Sequence, residues 1–294
     1  MTPGPTTTVT AAQAVTGRYF EDYRLGEVIT SGGRTVSAAD IAAFIELAGD
    51  RDPIHTDPAS ARVAGFPGVI APGPMATAIF FGLLYDTGLA RGTTLAALDT
   101  HWTYRRPVVA GSTLRFAMTI TRRRRASAGD RGVLNRAIDL YDQDGIVGTG
   151  TSAGLVRCRD AEASAGEYAA DPCSPAWTER LAELLNGRPA FVDSAASFDG
   201  VIGLACGDVR TQLKIYRGRV IDHGRWTPDG PDFTVGGDEL AWAELATAPV
   251  NDYLRRVMTG RFSATGNGYT YQRLTKTLVL MWDAIRDLTA GEGG

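Results

Sequence analysis

Residues 74–88 read PMATAIFFGLLYDTG, a stretch with no charged residue before Asp86. Its length and composition predict an α-helix that is apolar on nearly all sides. Such a helix must be enclosed by other parts of the fold on most of its surface. A second helix is predicted upstream, because Ser37 is a suitable N-cap with Asp40 three residues later, and Gly49 is placed to end it. Residues 50–70 follow as a loop broken by three prolines.

The residues after the apolar helix have the two-residue period of β-strands. Over residues 113–122 the apolar side chains fall on one face, and they are Leu114, Phe116, Met118 and Ile120. Two further strands, 134–141 and 146–156, flank the sequence DQDG, whose Asp144-Gly145 pair is a strong hairpin signal. One apolar helix followed by antiparallel strands predicts a single helix wrapped by a curved sheet, which is the hotdog arrangement.

The second half of the chain predicts a different unit, of the α+β class. Helices are expected at about 177–185, 238–246 and 251–259, and a strand over 209–216 ends at an Arg-Gly turn. A last helix over 271–288 carries one apolar stripe: Leu274, Leu278, Met281, Ile285 and Leu288. The stripe is expected either to line a tunnel or to pack a core, and a helix pattern alone does not decide between them.

The boundary between the halves is predicted at residues 160–176, DAEASAGEYAADPCSPA, which are small, acidic and without periodicity. We therefore expect a flexible tail over 1–16, a hotdog domain over 17–159, a linker over 160–176 and an α+β domain over 177–294.

Composition excludes several classes of protein. Thirty basic and thirty-three acidic residues give a formal net charge of −3, which provides no global field to hold nucleic acid or an anionic membrane. Three cysteines fit neither a zinc spacing nor a disulfide framework. With no basic-then-apolar N-terminus and no long apolar run, the sequence predicts a cytoplasmic protein without a membrane span.

The candidate chemistry lies in AGDRDPIHTDPASA, residues 48–61. Asp50 and His55 directly follow a predicted helix end, and Pro53 stiffens the chain between them. A carboxylate and an imidazole held close together can position one water, because one group accepts a proton while the other gives one. For a bare pair at this spacing, a capping Asp and a surface His are the better interpretation.

Wider sequence context favours the catalytic interpretation, because the stretch resembles the G-D-x-N-P-x-H signature of the MaoC-like, (R)-specific enoyl-CoA hydratases. The family's turn before its central helix is similar to residues 71–75, APGPM. Its strand-P-V-x-x-G-D-T-L segment is similar to residues 102–116, and its N-Q-D-G hairpin to residues 142–145. The resemblance covers about residues 17–159 and implies the hotdog fold.

The resemblance places the family's catalytic Asp and His on Asp50 and His55, and its oxyanion-binding backbone N–H on Gly73. Two features depart from the family pattern. Asp52 stands where the motif has Asn, which would set two carboxylates in competition if both were buried. Pro72 replaces a His, and Pro74 removes an N–H near the substrate. Altered substrate or altered chemistry is therefore an open alternative.

Residues 177–288 resemble a second family, the sterol carrier protein 2 (SCP-2) domains. The similarity rests on the helix-strand pattern around DFTVGGDELAWAEL, residues 232–245, and the segment that follows it. It implies a hydrophobic tunnel for an apolar ligand. By contrast, the arginine run at 122–125 predicts no site, and we interpret it as a solvated strand edge.

The sequence thus predicts a lyase that adds water to, or removes it from, 2-enoyl/3-hydroxyacyl thioesters, with a lipid-binding domain attached. The substrate would be carried on CoA or acyl carrier protein, and the hotdog resemblance implies a homodimer. No cofactor and no metal are predicted. The alternative is a binding protein or cyclase that uses the hotdog cavity to hold or fold a lipid or polyketide.

Overall fold

The computed structural model describes residues 6–7, 17–159 and 171–291. Its elements before residue 160 are β1 (Thr6–Thr7), a 3-10 helix (Phe20–Asp22), β2 (Val28–Thr30), β3 (Arg34–Thr35), α1 (Ala38–Ala48), α2 (Pro53–Thr56), α3 (Pro58–Val63), α4 (Gly73–Asp86), β4 (Thr94–Tyr104), β5 (Thr113–Arg125), β6 (Arg131–Asp142) and β7 (Gly145–Arg157). Residues 160–170 of the predicted linker (160–176) and the predicted tail over 1–16 lie outside the described residues, except for β1, which pairs parallel with β2. Residues 171–176 of the predicted linker are described, and α5 begins within them at Pro175.

The first sheet follows the order β1-β2-β5-β6-β7-β4, with β3 pairing on β5. Helix α4 lies against this sheet, and its Phe80 ring meets the rings of Phe116 and Trp102 edge-on at 5.1 and 5.5 Å. The alternating apolar residues of β5 are all buried in the same core cluster. Gly145 supplies the positive φ of +122° at the β6–β7 turn. The predicted helix wrapped by an antiparallel sheet is confirmed.

The segment between α1 and α4 is more ordered than the predicted loop. Ser37 and Asp40 form the predicted capping box, and Gly49 ends α1 with φ +74°. Pro53 and Pro58 then stand at the starts of α2 and α3, where a missing N–H costs nothing because no acceptor precedes it in the helix. The prolines therefore begin two short helices instead of breaking a loop.

After residue 171 the elements are α5 (Pro175–Asn186), α6 (Pro189–Ala195), β8 (Asp199–Cys206), β9 (Val209–Tyr216), β10 (Arg219–Gly224), β11 (Phe233–Gly237), α7 (Glu239–Ala246), α8 (Tyr253–Met258), β12 (Ser263–Gly266), α9 (Gly268–Arg273) and α10 (Thr275–Gly291). The sheet order is β10-β9-β8-β11-β12, and β11 runs parallel to β8. The second half is therefore α+β, as predicted. Its predicted last helix is divided in two at Leu274.

The apolar stripe of α10 belongs to the core of the second half. Leu278, Met281 and Ile285 are buried, and they share one cluster with the aromatic side chains of that half. Trp282 beside them packs at 4.7 Å from the Trp242 ring and 5.0 Å from the Phe262 ring. Of the two interpretations of the stripe, core packing is the one that the structure bears out.

A buried polar cluster joins the two halves. The Arg122 guanidinium donates to both carboxylate oxygens of Asp171, and its Nη1 lies 3.5 Å from Glu239 at the start of α7. Glu239 also accepts from Asn135 Nδ2 at 2.9 Å and Thr121 Oγ1 at 3.2 Å. The interpretation of the arginine run as a solvated edge is wrong for Arg122, because β5 lies inside the sheet and α7 covers it.

Within the described part of the chain, no helix combines the length and the apolar character that crossing a bilayer requires.

Candidate active site

Asp50 and His55 are brought together by the end of one helix and the start of the next. The left-handed Gly49 turns the chain out of α1, so that Asp50 follows immediately. His55 lies within α2, and its Nε2 is 3.7 Å from Asp50 Oδ2. That separation is too long for a hydrogen bond but short enough for one water to contact both atoms. The predicted pair therefore exists as a spatial pair.

The His55 ring is held in one orientation. Its Nδ1 lies 2.7 Å from the Ile70 carbonyl oxygen, which can only accept, so Nδ1 carries the proton. The lone pair of the neutral ring is then on Nε2, the atom that faces Asp50. The two groups differ in exposure: the His55 side chain is 9% exposed and the Asp50 side chain 48%. A largely buried, oriented base and an accessible carboxylate thus lie within 3.7 Å of each other.

Asp52 does not share this position. It is exposed, and its side chain accepts from the Ile54 backbone N–H at 3.0 Å as the N-cap of α2. Asn and Asp are about equally good N-caps, so the family's Asn and this chain's Asp serve the same local structure. The expected competition between two buried carboxylates does not arise, which removes one of the reasons for the alternative function.

Gly73 begins α4 and lines the same cavity as His55. Pro72 has no N–H, Pro74 has none, and the Met75 N–H bonds to the Pro72 carbonyl. In the described structure the Gly73 N–H has no acceptor, and it lies at the positive end of the helix dipole. A Cβ atom at this position would lie 3.0 Å from the Tyr104 ring, so the site admits only glycine without a shift.

A cavity of ≈ 280 Å³ connects His55 with Gly73, and its lining also includes Ile70, Ala76, Tyr104 and Arg105. Tyr104 was missed by sequence reasoning, because only the sheet register places the end of β4 opposite the start of α4. Arg106 also lines the cavity, but its charge is taken up by Asp142 and by two backbone carbonyls of the β6–β7 turn. Arg105 leaves a positive charge at the rim.

No metal-binding group of three or more His, Cys, Asp or Glu side chains occurs in the parts of the chain that the structure describes. The three cysteines are buried free thiols, and burial raises the pKa values of Cys173 and Cys206. Neither thiol has the exposure or lowered pKa of a nucleophile.

Comparison with known proteins identifies the first half. The profile of the MaoC like domain matches residues 24–136. Mesaconyl-CoA hydratase of Cereibacter sphaeroides is 34% identical over 152 residues, which are 51% of this chain and 44% of that protein, so the chain spans less than half of this relative. The crystal structure of the MaoC-like dehydratase from Rhodospirillum rubrum matches at 30% identity and a TM-score of 0.45, over 49% of this chain and 99% of that one.

The crystal structure of sterol carrier protein 2 also matches, at 16% identity and a TM-score of 0.35, over 40% of this chain and 98% of that one.

Proposed function

Because the first half of the chain contains a MaoC-like dehydratase domain, matched over residues 24–136, we propose that the protein catalyses the reversible hydration of 2-enoyl thioesters to 3-hydroxyacyl thioesters. The observation that carries the proposal is that His55 and Gly73 line one cavity, while Asp50 Oδ2 lies 3.7 Å from His55 Nε2. Asp50 and the lone pair of His55 can hold one water, and the Gly73 N–H lies free at the helix start.

In the hydration direction the bound water adds its oxygen to C3 of the enoyl group. The neutral His55 Nε2 or the Asp50 carboxylate accepts the water proton, and a proton from this pair then reaches C2. Both groups return to their starting states when the reaction ends, so the pair needs no other proton donor. The fixed Nδ1–H of His55 keeps the ring from rotating away during this exchange.

The Gly73 N–H is proposed to bind the thioester oxygen. Addition to C3 moves negative charge onto that oxygen, and a donor fixed in place stabilises the charge as it develops. One such donor contributes about 3 kcal/mol by analogy with acyl transfer. The helix dipole of α4 adds to the effect at the same end.

The direct test follows the absorbance of the conjugated thioester while purified protein acts on a panel of enoyl-CoA esters. Loss of absorbance with formation of the 3-hydroxyacyl ester supports hydration. Tight binding without turnover would instead support the alternative of a binding protein or cyclase. Mesaconyl-CoA belongs in the panel, since a relative is named for it.

We also propose that the chain forms a homodimer through β4. This 11-residue strand lies at the end of the sheet order, and Leu98 on it is 52% exposed. A long exposed edge strand is a template for pairing with another strand. Pairing of two β4 strands would also place the partner close to Tyr104 and the cavity.

Leu98→Asp is expected to convert the dimer to a monomer, because it sets two like charges against each other across the interface. Light scattering after size-exclusion chromatography measures the mass. Leu254→Asp, which charges a similarly exposed leucine in the second half, is the matched control. A Leu98→Asp protein that stays dimeric would place the interface elsewhere.

For the second half we propose an apolar ligand on the sequence pattern, with residues 177–294 as a carrier unit and 160–176 as its connection. The α10 stripe is occupied by core packing, so the ligand would contact other surfaces. Titration of fluorescent acyl ligands into the full chain tests this proposal, and absence of saturable binding at every chain length would refute it.

A further inference from the structure

The concave face of the first sheet carries a second set of polar groups, away from the Asp50–His55 pair. Arg136 of β6 stands directly opposite Ser152 of β7, and Gly150, two residues from Ser152, stands opposite Trp102 of β4. Residues that are opposite each other in antiparallel strands point to the same face. Arg136 shares its face of β6 with the core residues Leu134 and Ile138, so all three polar side chains point inward.

Each of these three side chains has a buried polar atom that lacks a hydrogen-bond partner. The atoms are Arg136 Nε, Ser152 Oγ and Trp102 Nε1, and none has a partner among the described residues. Arg136 as a residue is only 8% exposed and Ser152 only 2%. Among the described residues Arg136 makes no ion pair, although burial of an unpaired cation is strongly unfavourable and lowers the pKa of its guanidinium. Buried polar atoms without partners are rare in folded proteins, and here three of them lie on one face of the adjacent strands β6, β7 and β4.

The three groups have the same hydrogen-bonding character. Guanidinium and indole N–H groups can only donate, and a serine hydroxyl donates equally well. A ligand that satisfies all of them is an oxygen acceptor, and the positive charge of Arg136 selects an anion. A carboxylate fits best, because the planar guanidinium pairs with it in two parallel hydrogen bonds.

The position of these groups relates them to the candidate active site. Tyr104, which borders Gly73, stands opposite Gly148 on β7, and Ser152 lies four residues further along that strand. Four residues of strand span roughly 13 Å. Glycines at 148, 150 and 154 lie along the same face of β7, and side chains of the neighbouring strands cover them: the Trp102 ring lies over Gly148 and Gly150, and the Arg136 guanidinium lies over Gly154. The Trp102 indole covers Gly150, and a chain that reaches Ser152 must move it.

We infer that Arg136, Ser152 and Trp102 form a site for a carboxylate at the far end of a medium-length acyl chain. This inference rests on the proposed function, because the other end of that chain is the thioester at Gly73. The preferred substrates are then ω-carboxyacyl thioesters, and plain alkyl chains of the same length are poorer substrates.

The test compares ω-carboxydecenoyl-CoA with methyl-ended decenoyl-CoA as substrates of the full-length protein. The wild-type protein is expected to favour the carboxylate in kcat/KM. Arg136→Met is expected to reduce that preference by about 10- to 100-fold, the effect of losing a hydrogen bond to a charged group. Arg136→Lys should retain part of it. Arg115→Met, which removes an exposed arginine from β5 of the same sheet, should retain all of it.

Binding of the saturated ω-carboxydecanoyl-CoA, measured by the rise in Tm, separates this inference from the proposed function. If neither decenoyl ester is hydrated but the saturated ester still binds through Arg136, the hydratase proposal fails and the carboxylate site stands. The carboxylate site is refuted if the methyl-ended ester is hydrated with the same kcat/KM as the ω-carboxy ester. It is also refuted if folded Arg136→Met protein keeps the wild-type preference.

Discussion

Replacement of Asp50 by Asn, or of His55 by Ala, is expected to lower kcat/KM for enoyl thioester hydration by about 10²–10⁴-fold. Each change removes one of the two groups proposed to hold the water, and His55 Nε2 lies 3.7 Å from Asp50 Oδ2. Neither residue is part of the hydrophobic core cluster of the first half, so both variants should keep the fold. Steady-state kinetics on the enoyl ester with the highest turnover measures the effect.

The double variant should have nearly the same kcat/KM as either single variant, because the loss of either group already removes the function that the two groups share. Asp52→Asn is the matched control. It removes a carboxylate two residues from Asp50, but Asn can still accept the Ile54 N–H that Asp52 caps. It should therefore react at nearly the wild-type rate. A well-folded Asp50→Asn or His55→Ala protein with wild-type kinetics would rule out this assignment.

The elements that the sequence predicts well are those set by local chemistry. The Ser37 capping box, the left-handed Gly49 and the alternation along β5 each depend on residues within a few positions of one another. Their geometry follows from backbone hydrogen bonding and from the direction of side chains, so one stretch of sequence is enough. The pair of Asp50 and His55 is predictable for the same reason, because only four residues separate them and α2 begins among those four at Pro53.

Features that depend on pairing distant strands are not predictable in this way. Tyr104 reaches Gly73, and Arg136 faces Ser152, only because of the register of β4, β6 and β7. The prolines at 53 and 58 were ambiguous, because proline both interrupts a helix and begins one. For the stripe of α10, the pattern identifies a buried face but does not show what buries it.

The burial of Arg122 is a further feature that depends on contacts between distant parts of the chain. Its replacement is the second change for which we expect a large effect, a loss of stability. In sequence it is one of four arginines, but in the structure it is buried between the halves and paired with Asp171. Arg122→Met would leave the Asp171 carboxylate buried without its cation. Removing one partner of a buried ion pair costs about 3–5 kcal/mol, a large part of the typical stability of a domain. Urea unfolding of the variant measures the loss.

The loss should depend on pH in a definite direction. Burial raises the pKa of Asp171 above its ordinary value even with Arg122 beside it, and removal of Arg122 raises it further. A carboxyl whose pKa is higher in the folded than in the unfolded protein destabilises the fold increasingly as pH rises above the unfolded value. The Arg122→Met protein should therefore be least stable, relative to wild type, at neutral pH, and the difference should shrink in acid as Asp171 takes up a proton.

A second substitution separates the cost of an orphaned charge from loss of the contact itself. Arg122→Met with Asp171→Leu removes both charges and should recover most of the stability, since an apolar pair can replace a buried ion pair. Glu239 keeps Asn135 and Thr121 as partners in that protein. Arg115→Met, on the exposed face of β5, should change stability by less than about 0.5 kcal/mol. If the double variant is as unstable as Arg122→Met, the ion pair itself holds the halves together, and its charges are required for their association.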